Sequence, residues 1–191
     1  MTKIRACSMR LSIWLKEQRG TAGAEFALLA PIYLLLMVGT VDVANALYTD
    51  FNLSSALTSA ANYALTNASQ VNSSGGATLA ANLAAIVASS HSTNWANATV
   101  TVNNGPAAAI TGGVSSTSGT ASRADSYYCP TGKLGSLVWN SAYSSAGSVC
   151  PSGGLSGKFV VISASRSFTP LLLPSSFFNA SGSVWSVVQV Q

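Results

Sequence analysis

Apolar and polar positions divide this chain into three regimes. From Phe26 to Val41 sixteen residues pass without a formal charge, bounded by Glu25 and Asp42. A run this rich in Ala, Leu and Met predicts a helix. Pro31 and Gly39 are compatible with it in a membrane, where neighbouring groups re-satisfy the backbone. At 1.5 Å per residue the run covers about 24 Å, against roughly 30 Å of bilayer hydrocarbon. The small residues before Glu25 and the turn Val43–Leu47 close the gap. The expected membrane helix therefore spans residues 21–47 and draws Glu25 and Asp42 towards its two boundaries.

Past Asp42 the pattern becomes amphipathic. Leu47, Phe51, Ser54, Leu57, Ala60 or Ala61, and Ala64 or Leu65 recur three and four apart. This predicts that the same helix continues over residues 48–68, with one stripe that needs a cover. The stretch Asn67–Gly76 (NASQVNSSGG) breaks it. Gly76–Ser90 predicts a shorter second helix with Leu79, Leu83, Ile86 and Val87 on one face. Beyond it the period shifts towards two, and three runs read as strands: Ala98–Val102, Phe159–Ser165 and Ser183–Gln191. Gly105–Thr120 reads as loop, or loop with one weak strand. Pro170, Pro174 and Leu171–Leu173 mark a turn-rich crossing between the last two strands.

The fold class expected is α+β. A long amino-terminal helix, half in the membrane and half amphipathic, is joined by a short second helix and a small, mainly antiparallel sheet packed on the helix's outer half. In domain terms, residues 1–20 form a basic leader, 21–47 the membrane helix, 48–68 its extension and 69–191 an exported globular domain.

Charge sharpens this picture. Only 7 % of the 191 residues are charged, while 48 % are hydrophobic; roughly 25 % charged is usual for soluble domains. Lys3, Arg5, Arg10, Lys16 and Arg19 against Glu17 account for the whole net charge of +4 within residues 1–20, and residues 21–191 are balanced. A nucleic-acid-binding domain spreads its cations over a folded face, so no nucleic-acid partner is expected. Positive charge before a membrane segment instead keeps the leader cytoplasmic and sends the rest out. The leader reads as a solvated amino-terminal region that is later removed, although Ile13, Trp14, Lys16 and Glu17 could also make an amphipathic turn at the inner membrane face. The expected location is a bacterial inner membrane, crossed once, with a periplasmic or extracellular carboxy-terminal domain.

Cys7 lies on the reducing side of that topology, whereas Cys129 and Cys150 lie where a disulfide is permitted. A Cys129–Cys150 bond is the expectation and two free thiols the alternative. The bond would close a loop of about 20 residues, contribute on the order of 3 kcal/mol and staple the sheet side.

Catalytic chemistry has little to stand on. His91, the single histidine, sits in ASSHSTN with no acidic residue within ten positions. No serine has a nucleophile-elbow context, and no Gly-rich loop follows a strand in the phosphate-binding pattern. After the membrane segment the acidic residues are Asp42, Asp50 and Asp125, a thin supply for paired carboxylate catalysis. No enzyme, cofactor or metal site is expected.

Glu25 is the exception that invites a role. A carboxylate just inside an apolar run costs a few kcal/mol unless paired; alternatively it simply reaches the inner headgroup region. Gly20 followed by Thr21-Ala22-Gly23-Ala24-Glu25-Phe26 and an apolar helix resembles the processing motif of type IV pilin-like proteins. More closely, RGTAGAEFALLAPIYLLLMVGTVDVANALY is similar to the TadE-like family of minor pilins, or pseudopilins, of tight-adherence (Tad/Flp) pilus systems. The Glu25-Phe26 pair, Pro31 inside the run and an aspartate at its end carry the likeness, and FVVISASRSFTPLLLP (residues 159–174) adds to it.

The resemblance implies that a prepilin peptidase cuts after Gly20, that Thr21 becomes the amino terminus and that Glu25 neutralises the terminal amine of a neighbouring subunit. It also implies as partners other pilin and pseudopilin subunits, an inner-membrane assembly platform and the bilayer, with adhesion and biofilm formation as the output. Two departures stand against it. Ser59–Leu65 (SAANYAL) lacks the basic residue often found there, and Ser69–Gly157 has no counterpart.

A rival reading starts from Ala44-Asn45-Ala46, an A-x-A site past an apolar run with a basic amino end. Cleavage after Ala46 would release a soluble periplasmic or secreted binding domain. An uncleaved single-pass anchor is the third possibility.

Overall fold

The structure is a computed structural model, and it describes residues 21–170 and 181–191. The expectations for Gly20, Cys7, the basic leader and the Leu171–Pro174 crossing fall outside those residues.

The spine is α1, an unbroken helix Thr21–Thr66 of 46 residues with Pro31 inside it. At 1.5 Å per residue it is roughly 69 Å long, more than twice a hydrocarbon core. Its carboxy-terminal part carries the rest of the molecule. A turn of 3-10 helix at Ala68–Gln70 leads to α2, Gly76–Ala88. The Asn72 side chain prepares this second helix, its Oδ1 accepting from the Ser74 and Gly75 backbone N–H groups at 2.9 and 2.7 Å. Those amides would otherwise lack partners at a helix start.

Five strands form one antiparallel sheet in the order β3-β2-β1-β6-β7. They are β1 (Asn97–Val102), β2 (Ala107–Thr111), β3 (Val114–Ser118), β6 (Phe159–Ser167) and β7 (Ser181–Gln189). In the centre, Val100 stands opposite Ile162 and Ala98 opposite Ala164, with Val160 opposite Val188 on the next ladder. Period-two alternation then puts Ala98, Val100, Val102, Val160, Ile162 and Ala164 on one buried face. Both helices cover it, α1 lying on β7 and β6 while α2 lies on β1 and β2. Leu53, Leu57, Leu79, Leu83 and Val87 fill the space between the layers.

A second small sheet, β4 (Thr131–Lys133) with β5 (Ser136–Val138), lies within the loop closed by Cys129 and Cys150. These two cysteines are bonded, with Cα atoms 5.7 Å apart. The loop reaches the sheet face opposite the helices: Gly135 approaches Trp185 so closely that a Cβ there would stand 3.2 Å from the indole. The disulfide therefore does staple the sheet side.

The expected architecture is present, with three differences in detail. Leu47 and Phe51 were expected in the buried stripe of the helix extension, but they are 53 % and 72 % exposed, and Ser54 and Leu65 also face out. Leu57, Ala60 and Ala64 of the expected stripe are buried, and Leu53 and Ala56 complete the row. This helix is apolar on more than one side, so spacing alone does not choose the face. The row rich in alanine lets the sheet approach closely.

Gly105–Thr120, expected as loop or one weak strand, contains the β2–β3 hairpin. Thr111 pairs with Val114 around Gly112 and Gly113, both at positive φ (56° and 83°). This two-residue turn matches the strand twist and needs glycine, and it compensates for the weak strand propensity of Ala and Ser. The last difference is at the ends of the last two strands, where β6 runs two residues beyond Ser165 and β7 starts two residues before Ser183.

Candidate functional site

The first half of α1 is exposed along most of its length. Phe26 is 71 % exposed, and Leu28, Ile32, Tyr33, Leu34, Leu35, Leu36 and Met37 are all more than half exposed. Burying one such side chain is worth about 1.5–3 kcal/mol, so a helix this apolar all round does not rest in water. Among the described residues it is the one helix long and apolar enough to cross a membrane. Only 6 % of its most apolar window is buried in the protein, which separates it from the core helix of a soluble domain.

Thr21 begins α1, with Glu25 one turn further on and exposed, followed by Phe26. Residues i and i+4 share a helix face, so Glu25 and the backbone nitrogen end of Thr21 lie on one side of the first turn. Among the described residues Glu25 has no hydrogen-bond partner.

Asp42 differs sharply from Glu25. It is fully buried and engaged in an interaction. It opens a row, Asp42, Ala46, Thr49 and Leu53, that continues into the buried face of the helix. The aspartate that ends the apolar run thus points into the protein.

His91 is exposed, stacked on Trp95 with ring centroids 4.6 Å apart and 3.3 Å from the Ser90 hydroxyl. The other side chain on Trp95 is Arg166, its guanidinium carbon 4.8 Å from the ring centroid. Among the described residues no group of His, Cys, Asp and Glu is placed to hold a metal ion.

Two polar anchors went unsuspected from sequence. Lys158 is buried: its Nζ donates to the Val71 carbonyl at 2.7 Å and lies 5.3 Å from the Tyr127 ring centre. It ties the start of β6 to the connection between the helices. Asn103, also buried, donates through Nδ2 to the Ala124 and Ser126 carbonyls and accepts from the Phe159 N–H at 3.3 Å. The Asn103-Asn104-Gly105 string could have flagged the turn, since both asparagines adopt positive φ. Nothing in the sequence around Lys158 signals its burial.

Fold and exposure together define the class: an α+β domain carried on one long helix whose free half is apolar all round. A family model described as TadE-like protein matches residues 20–62, which is α1 almost to its end together with the glycine before it. The match agrees with the resemblance read from Gly20, Glu25, Phe26, Pro31 and Asp42, and it supports involvement in a Tad pilus system. No curated protein and no solved structure matches the chain.

Proposed function

We propose that the chain is a minor pilin or pseudopilin of a Tad/Flp-type pilus, working by helix insertion and subunit packing rather than by catalysis. The observation that carries this reading is the first half of α1, whose large apolar side chains are exposed and lie inside the TadE-like match. In the membrane that surface meets lipid. In an assembly it meets the same surface of other subunits, where van der Waals packing rather than hydrophobic transfer drives association.

A prepilin peptidase cleaves after Gly20, Thr21 becomes the amino terminus and Glu25 pairs with the terminal amine of a neighbouring subunit. Two opposite charges sharing a low-dielectric site offset each other's desolvation. Residues 21–47 anchor the subunit in the inner membrane beside the assembly platform, with the leader cytoplasmic. Residues 48–68 lead into the exported domain of residues 69–191, which contributes to adhesion and biofilm formation.

Release after Ala46 would cut α1 in its middle and remove the turn that carries Asp42. The unbroken helix favours retention of the anchor.

The test is Glu25→Ala in the native host, with export and pilus assembly scored separately. Export should persist while pili fail to assemble. Normal pili made by the variant would remove Glu25 from the mechanism.

A further inference from the structure

Where α1 leaves its bare half and meets the domain, a groove of about 390 Å³ opens between the helix and the end of β6. Asn45, Tyr48 and Thr49 form one wall, and Arg166, Phe168 and Thr169 form the other. Arg166 is the one cation among the described residues that line it. The nearest helix carboxylates do not line it. Asp42 is buried, and the Asp50 carboxylate is directed at Gly182, where an added Cβ would collide with it. Thr49 spends its hydroxyl proton on the Asn45 carbonyl at 2.9 Å, leaving the Asn45 amide and the Thr169 hydroxyl as further donors beside the guanidinium.

The height of this groove is set by the helix. From Ala22 to Asp42 the rise is about 30 Å, the thickness of the hydrocarbon. Asn45 to Thr49 then lie roughly 5–10 Å further out, at the level of the headgroups. Tyr48, 64 % exposed, is a residue type suited to that layer, with an apolar ring and a polar tip. Arg166 holds its guanidinium carbon 4.8 Å from the Trp95 ring centroid, and the planar fork of donors of a guanidinium suits phosphate oxygens.

We propose that this groove binds the headgroup phosphate of an outer-leaflet membrane phospholipid, with Arg166 as its cation and Tyr48 and Phe168 flanking the lipid's glycerol region. The proposal rests on the membrane-anchored reading of α1. It adds a seat that fixes the height and tilt of the domain over the bilayer before assembly.

The test uses the full chain in a mild detergent, titrated with phosphatidylglycerol and read by native mass spectrometry of the lipid-bound species. Arg166→Gln and Asn45→Trp, which fills the groove while leaving Arg166 in place, should each bind the first lipid about tenfold more weakly, the size of one lost charge-assisted hydrogen bond. Lys133→Gln, on the distal β4 strand, should bind as the parent does. Equal affinity in Asn45→Trp and the parent overturns the proposal even if Arg166→Gln fails to fold. So does displacement of the lipid by an equal concentration of inorganic phosphate, which would mark a site for free anions. Flotation of the parent with vesicles separates the two levels. A parent that does not float refutes the anchor, whereas a parent that floats and variants that keep the lipid refute the groove alone.

Discussion

Breaking the Cys129–Cys150 bond should lower the stability of the exported domain by an amount fixed largely by loop length. The bond joins positions 21 apart in sequence. Closing a loop of that size removes about 3 kcal/mol of chain entropy from the unfolded state. Its native side is also specific, because the loop carries β4, β5 and Trp139. The Trp139 ring meets Tyr128 edge-on at 5.7 Å, and Gly135 lies against Trp185. Each kcal/mol moves the melting temperature of a domain of this size by roughly 3–4 °C, so the Cys129→Ser, Cys150→Ser double variant should melt about 10 °C lower. Thermal unfolding of the full chain in detergent, followed by near-ultraviolet circular dichroism, reads the shift. Tryptophan fluorescence should change as the loop leaves Trp185. A double variant melting within about 2 °C of the parent would refute the argument, showing that the loop is held by its packing and that the bond closes nothing costly.

Two further predictions test local geometry. Gly119 has φ of +88°, and a Cβ there would collide with the Gly105 carbonyl oxygen, whereas Gly153 at +83° has open space around it. Gly153→Ala should cost only the left-handed backbone term, about 1 kcal/mol, and Gly119→Ala at least about 2 kcal/mol more; equal melting of the two variants would refute the close approach. Asp125 accepts a hydrogen bond from the Ser73 N–H at 2.8 Å, and this bond holds its carboxyl below the ordinary value, with a smaller contribution from the charge of Lys158. A carboxyl lowered on folding adds stability above its unfolded pKa, near 4, and loses it as pH falls through the folded value. Stability, read by denaturant titration between pH 5 and pH 2, should therefore fall more steeply for the parent than for Asp125→Asn, and superimposable slopes would contradict the bond.

Legibility in the sequence followed physical cause. The spine could be read because length and continuous apolarity are properties of one segment. The run from Thr21 through Thr66 needed no knowledge of its neighbours. Both β1 and β6 were readable for the same reason, their β-branched residues alternating across a half-buried sheet. The buried face of α1 was readable only in part, at Leu57, Ala60 and Ala64, because a helix with apolar residues on several sides leaves the choice to the domain that covers it. The β2–β3 hairpin hid behind Ala and Ser, although Gly112-Gly113 was its signature. The β4–β5 hairpin is three residues a side and depends on the disulfide loop, so no periodicity could announce it. At the candidate site, Glu25 and Phe26 were visible as motif residues, while the Arg166 groove required β6 and α1 to be brought together. Lys158 shows the same limit, since a lysine reads as solvent-facing until the Val71 carbonyl is seen beside it.

The most direct test of the central claim is the intact mass and amino-terminal sequence of the protein isolated from membranes of its native host. A mature chain that starts at Thr21 is the result expected for a processed pilus subunit anchored by α1. A chain that starts at Leu47 in the soluble fraction would contradict it and make the protein a released domain without its spine.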